Sequence, residues 1–235
     1  MGERGADGGL NLIFDADDTL WESNVHFLEA EAEFIAELER AAARARHEIR
    51  ETLRRHELQI IESHGYGRGA YVAALHRVAH ELTPAERRHA MRARTEAIGA
   101  RLLERHCAPL PGVPETLGDL ARRHRLLLFT KGDPTEQLRK LERSGLRRFF
   151  SRAGVAREKD AAAYRLLVAQ AELDPARTFM IGNSPRSDIN PALRAGLGAV
   201  FIPYPHTWEL EREALEETHA RFLALTAFRE LTRVF

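Results

Sequence analysis

The sequence predicts an α/β fold: a doubly wound, mainly parallel sheet, interrupted just after its first strand by an inserted all-α segment. Three observations lead there. Residues 10–14 form a short apolar run that ends abruptly in Asp15-Ala16-Asp17-Asp18-Thr19, and an apolar run of that length bounded by turn signals marks a buried strand. From Trp21 to about Cys107 the chain is rich in Ala, Glu, Arg and Leu at helical spacing, with almost no β-branched clusters. Beyond Pro109-Leu110-Pro111-Gly112, strand-like and helix-like stretches alternate, the pattern of a parallel sheet with helices on both faces.

Each element has its own signal. In the helical stretch, Phe27, Ala30, Glu31, Phe34, Ile35 and Leu38 trace one helix face, and a second helix is expected over about 44–62. The run His64-Gly65-Tyr66-Gly67-Arg68-Gly69 breaks the pattern with three glycines in five residues and predicts an irregular loop. Helix resumes near Ala70 and restarts after Thr83, where Thr83, Pro84 and Glu86 form the pattern of an N-cap, a first-turn proline and a capping box. Helices are then expected over 114–123, from Asp133 to Gly145, over 161–171, over 189–195 and over 208–217. Strands are expected over 125–129, within 149–155, over 178–181 and over 199–202, with an edge strand at 222–225 before a final helix. Residues 1–21 and 109–235 would form the α/β domain and residues 22–108 the helical one, a remainder and an insertion of ordinary domain size. An insertion starting beside the acidic cluster suits a lid that shields the strand ends from water.

The bulk composition narrows the function. Acidic and basic residues balance at 35 each across 235 residues, so nothing global points to nucleic acid or an anionic membrane. A lone cysteine, Cys107, excludes an internal disulfide and suits a reducing compartment. No apolar run approaches the roughly 18 residues of a membrane span, and the N-terminus lacks the apolar core of a signal peptide. A cytoplasmic protein is expected, with residues 1–9 as a disordered polar tail. Apart from Lys131, Lys140 and Lys159, every Lys/Arg position is arginine.

Asp15 and Asp17 fall at the carboxyl end of the first strand, where ligands gather in open α/β sheets. At about 4 Å and an effective dielectric of roughly 20, two such carboxylates repel by on the order of 4 kcal/mol. A fold keeps such a pair when a cation or a shared proton offsets the repulsion. The competing explanation is a turn whose Asp17 and Asp18 merely cap the next helix. Other strand ends carry Thr130-Lys131-Gly132-Asp133 and Gly182-Asn183-Ser184-Pro185-Arg186-Ser187-Asp188, and Lys159 precedes a helix beyond the third strand. Each is weak alone, while their order and placement together are hard to obtain by accident.

Together these residues resemble the haloacid-dehalogenase-like (HAD) superfamily of aspartate-nucleophile hydrolases. Asp15-Ala16-Asp17-Asp18-Thr19 is similar to the DxDxT motif of its phosphatase branch, Thr130 to the second motif, Lys159 to the third, and residues 182–188 to the acidic fourth. The helical insertion resembles the family's type-one cap, and the core would be Rossmann-like. The resemblance implies a Mg²⁺-dependent phosphomonoester hydrolase acting on a small soluble phosphorylated metabolite. Asp15 would attack phosphorus and form an aspartyl-phosphate. Asp17 would protonate the leaving oxygen, for which it must first carry a proton, and then activate water. Mg²⁺ would be held by Asp15, the Asp17 carbonyl and the fourth-motif residues Asn183 and Asp188. Thr130 would donate to a phosphoryl oxygen, and Lys159 would balance the charge of nucleophile and phosphate.

The family often has an acid at the position of Asn183, so either its amide oxygen or Asp188 completes the metal shell. Lys131 could also reach phosphate, and Tyr66 and Arg68 in the glycine-rich loop are candidate substrate contacts. His76 and His80, four apart, lack a third ligand for zinc and read as a surface pair. Trp21 and Trp208 read as packing. A carboxylate at Asp17 argues against a dehalogenase, and the absence of lysine from 22–108 argues against phosphonate cleavage through a Schiff base. A phosphomutase and a non-catalytic phosphate-binding protein remain as alternatives, the second favoured by Asn183.

Overall fold

The computed structural model describes residues 8–235. The predicted disordered tail therefore lies outside the described residues except at Gly8 and Gly9, and the Gly9 carbonyl accepts a hydrogen bond from Arg177 at 2.9 Å. Two compact units are present: one comprises the described residues up to Asn24 with Cys107–Phe235, the other Val25–His106.

The first unit is built on six parallel strands: β1 (Asn11–Phe14), β2 (Arg125–Lys131), β3 (Arg152–Ala156), β4 (Thr178–Gly182), β5 (Gly198–Phe201) and β6 (Phe222–Ala224). Their order is β3-β2-β1-β4-β5-β6. The chain runs outward from β1 to β2 and β3, then crosses back to lay β4 on the other side of β1. That reversal opens a crevice beyond the carboxyl ends of β1 and β4. Alternation along the strands serves two cores. Leu12 and Phe14 face one side with Leu126, Leu128 and Ile181, against α5 (Val113–Leu120) and α9 (Leu231–Val234). Ile13, Leu127 and Met180 face the other, against Tyr164 and Leu167 of α7 (Ala161–Gln170) and Ala192 of α8 (Asn190–Arg194). This is a Rossmann-like sheet covered on both faces.

α6 (Pro134–Arg143) follows β2, and the Asp133 carboxylate caps it by accepting from the Glu136 N–H. The second unit holds α1 (Asn24–Ala42, whose first residue belongs to the sheet unit), α2 (Arg46–His64), α3 (Arg68–Leu82) and α4 (Arg88–Glu104). Its core takes Phe34, Ile35 and Leu38 from the predicted α1 face, with Ile49, Leu75, Val78, Met91 and Ile98.

Two local expectations fail. The helix predicted over 208–217 is only a 3-10 turn at Glu209–Glu211. Tertiary bonds supply there what a helical ladder would have supplied: Asn190 donates to the Ala214 carbonyl and accepts from the Glu216 N–H, and Arg186 donates to the Leu210 carbonyl. The Thr83 capping box also does not form. A 3-10 turn at Ala85–Arg87 intervenes before α4, and the Thr83 hydroxyl is buried without a hydrogen-bond partner among the described residues.

Candidate active site

The loop after β1 sorts its three acids into three environments. The Asp15 N–H donates to the Ile181 carbonyl at 2.9 Å, which continues the β1–β4 ladder by one residue and aims the side chain over the crevice. Asp18 has a left-handed backbone (φ 63°), and its carboxylate accepts from the Ser23 and Asn24 N–H groups at 2.8 and 3.0 Å. It is the acid that caps the next helix, a structural task. Burial nonetheless pushes its pKa up to about 7.

Asp15 belongs to a buried triad. The Lys159 ammonium lies 2.6 Å from Asp15 Oδ1 and 2.5 Å from Asp188 Oδ1, and it donates to the Phe129 carbonyl at 3.0 Å. Lys159 is set in place by its neighbour Asp160, whose carboxylate caps α7. Asp188 accepts from the Ser184 N–H at 2.9 Å, inside a π-helical turn (Pro185–Ile189) that follows β4. Gly182 makes room for it, since a Cβ there would lie 2.2 Å from Asp188 Oδ2. Two carboxylates share one ammonium, so the fully ionised triad is one positive charge short. Burial and the Asp188 charge accordingly raise the Asp15 pKa to about 7 against the pull of Lys159. Burial raises Asp188 as well. It works to discharge Lys159, but the two carboxylates outweigh it and hold the ammonium well above its ordinary value.

Asp17 stands apart from that triad. Its carboxylate accepts from Trp21 Nε1 at 2.7 Å and Gln137 Nε2 at 2.9 Å, and the Lys140 ammonium lies 2.7 Å from Oδ2 and 2.6 Å from Oδ1. Burial works against its charge, but Lys140 and these hydrogen bonds prevail and lower its pKa. The sequence argument required a protonated Asp17 for the acid role; here it is a paired carboxylate, because α6 brings a lysine to it.

The remaining rim residues complete the site. Thr130 is buried on β2, two residues beyond Leu128, which pairs with Phe14. Thr19 donates to Asp15 Oδ2 at 3.4 Å and to Asn183 Oδ1 at 3.1 Å, while the Asn183 amide donates to Thr207. Lys131 donates to Ser187 Oγ at 3.2 Å and pairs with Glu211, whose other oxygen accepts from Ser184 Oγ at 2.5 Å. In the helical unit, Tyr66 sits between α2 and α3, and Arg68 is buried and donates to the Arg105 carbonyl at 2.8 Å.

Among the described residues, no three His, Cys, Asp or Glu side chains gather as a ready-made metal site, and His76 and His80 are no exception. What does converge on the rim is oxygen: the Asp15 and Asp188 carboxylates, with the Asn183 amide oxygen linked to Asp15 through Thr19. Oxygen donors around a triad short of positive charge suit a small hard cation such as Mg²⁺.

Sequence reasoning missed Gln137, Lys140 and Glu211, and assigned Trp21 to packing alone. Trp21 is fully buried, but its indole N–H serves Asp17. The signal for Lys140 was its rarity: it is one of three lysines, three residues after Gln137 and so on the same helix face. Glu211 carried no local signal.

Comparison with known proteins agrees with the fold. Residues 11–196 match the family model described as haloacid dehalogenase-like hydrolase. The crystal structure of a haloacid dehalogenase-like family hydrolase from Xanthomonas campestris superposes with a TM-score of 0.83 at 30% identity, covering 99% of this chain and 93% of that one. The putative HAD-hydrolase YfnB from Bacillus subtilis, bound to magnesium, shares the fold at a TM-score of 0.62 and 18% identity, over 97% of this chain and 99% of that one. Pyrimidine 5'-nucleotidase YjjG of Escherichia coli (strain K12) is 29% identical over 106 residues, 43% of this chain; the match spans about half of that relative, 47% of its length. With residues 11–196 matched to one family model and nearly the whole chain superposing on a solved member, the chain belongs to the haloacid dehalogenase-like hydrolases.

Proposed function

We propose that this hydrolase is a Mg²⁺-dependent phosphatase that cleaves small soluble phosphate monoesters through an aspartyl-phosphate on Asp15. One observation carries the proposal: Asp15 and Asp188, far apart in the chain, meet on the single ammonium of Lys159 at 2.6 and 2.5 Å. A buried acid pair with one lysine is short of positive charge, and a phosphatase needs a cation there to accept a phosphate dianion. Asp15, Asp188, Asn183 and the Asp17 backbone carbonyl are the residues that would hold Mg²⁺, which when bound supplies charge to nucleophile and phosphate. Asp188 is the stronger fourth-motif ligand, because it brings a carboxylate to a hard cation where Asn183 offers only a neutral amide oxygen.

In this mechanism an Asp15 oxygen forms a bond to phosphorus as the ester oxygen leaves with its electron pair. Asp17, carrying a proton and released from Lys140, gives that proton to the departing oxygen. Water then attacks phosphorus, its proton passes to Asp17, and Asp15 is regenerated. Thr130 and Lys131 are assigned to the phosphoryl oxygens. Tyr66 and Arg68 of the helical unit are kept as proposed substrate contacts, although Arg68 is already bonded within that unit. Nucleoside monophosphates are the first substrates to test, given the pyrimidine nucleotidase relative. Among the described residues no helix is long and apolar enough to cross a membrane.

The test is Mg²⁺-dependent release of phosphate from p-nitrophenyl phosphate and a nucleotide panel, with Asp15→Asn as control. Turnover that needs Mg²⁺ and falls by at least about 10³-fold in the variant is the expected result, since Asp15 forms the intermediate itself. Phosphate bound but never released by wild type would favour the non-catalytic reading to which Asn183 points.

A further inference from the structure

The chain has only three lysines, and all three are held against acids in the sheet unit: Lys159 with Asp15 and Asp188, Lys140 with Asp17, and Lys131 with Glu211. Every other Lys/Arg position is arginine. A compact point charge on a flexible stem is what a narrow buried pairing needs, and the planar guanidinium is not its equivalent. The lysine on α6 is thus an exception in a chain that otherwise places arginine on its helices.

We propose that Lys140, with Gln137, is a positioning residue for Asp17, the acid–base group of the proposed hydrolase. Both come from one face of α6, and both are among its few buried side chains, at 7% and 5% exposure. They converge on one carboxylate at 2.7 and 2.9 Å, and Trp21 Nε1 approaches it from the loop after β1 at 2.7 Å. Gln137 also donates to the Lys131 carbonyl at 2.9 Å, so the clamp is tied to the end of β2. Donors from two elements fix where the Asp17 oxygens rest and set the point from which they swing to the ester. A lysine that only stitched α6 to the loop would need one oxygen at the surface, whereas here three donors cover both oxygens of an acid at the strand rim.

The inference rests on the proposed phosphatase reading, so its test separates the two. Lys140→Met and Gln137→Met are compared with wild type on phenyl phosphate and p-nitrophenyl phosphate, which differ in how much their leaving oxygen needs a proton. A misplaced acid should lower kcat/KM for phenyl phosphate by about 10-fold or more in Lys140→Met, and for p-nitrophenyl phosphate by no more than about threefold. Gln137→Met, which keeps the charge pair, should show the same pattern at smaller size and covers the case in which Lys140→Met does not fold. Equal losses on both esters, or none in either variant, would overturn the proposal. A second measurement is independent of turnover: ¹⁵N-lysine labelling gives three ammonium signals, and Asp17→Asn should move that of Lys140. No movement would also overturn it. Movement without turnover by wild type would sink the phosphatase reading and leave Lys140 as the anchor of Asp17.

Discussion

Replacing Lys159 with methionine is expected to expose the electrostatic debt of the triad. Asp15 and Asp188 are 8% and 0% exposed, and the ammonium between them is the only cation in contact with both among the described interactions. Removing one partner of a buried charge set costs about 3–5 kcal/mol, because the other charges stay buried without it. The loss depends on pH. In the variant the folded state keeps protons on Asp15 and Asp188 that the unfolded state releases above about pH 4. The folded state then binds more protons than the unfolded one, so stability falls as pH rises, by up to about 1.4 kcal/mol per pH unit for each proton. In wild type, where Asp15 already titrates near 7 because of burial and Asp188, the same slope is present but smaller. Urea denaturation in EDTA at pH 5 and pH 8 measures this. The expected destabilisation is about 3–5 kcal/mol at pH 8 and under roughly half of that at pH 5. An equal loss at both pH values, or a loss below about 1 kcal/mol at pH 8, would refute the idea that two buried carboxylates depend on this lysine.

Three further outcomes are expected. Glu57 has its pKa raised to about 7 by burial and by Glu31; its folded-state penalty is absent below about pH 4.5 and complete above 7, so Glu57→Gln should stabilise the protein by on the order of 1–3 kcal/mol at pH 8 and leave it unchanged at pH 4.5 in urea melts. Mg²⁺ at 100 times its Kd should add about 2.7 kcal/mol to wild-type stability, seen as a higher Tm that EDTA reverses; an unchanged Tm across millimolar Mg²⁺ would contradict binding at the rim. In Gly182→Ala the new Cβ would meet Asp188 Oδ2 at 2.2 Å and Cγ at 2.4 Å, so Asp188 must shift, and both Tm and Mg²⁺-dependent turnover should drop together.

Much of the frame was legible because its signals are local. The short apolar run ending at Asp15 and Asp133 ahead of Pro134 each act through neighbours in the chain, and each opens or closes the element that its spacing predicts. Pairings across the chain were not legible. Nothing near Asp17 announces Lys140 or Gln137, more than a hundred residues away on a helix whose rotation the sequence does not fix. The stretch 208–217 reads as a helix because Glu, Leu, Arg and Ala favour one. Bonds from Asn190 and Arg186 hold part of it in another path, and that path is what carries Glu211 to Lys131. Asp18 was indistinguishable from Asp17 by type, and only its left-handed backbone turned it back toward the start of α1.

The placement of the three lysines has a practical chemical corollary. Reagents that acylate primary amines will find no freely exposed lysine on this protein, since Lys131, Lys140 and Lys159 are shielded and engaged by carboxylates. Slow acetylation of the native chain at any of them would therefore report an opening of the strand rim, with each modified position naming the carboxylate that let go.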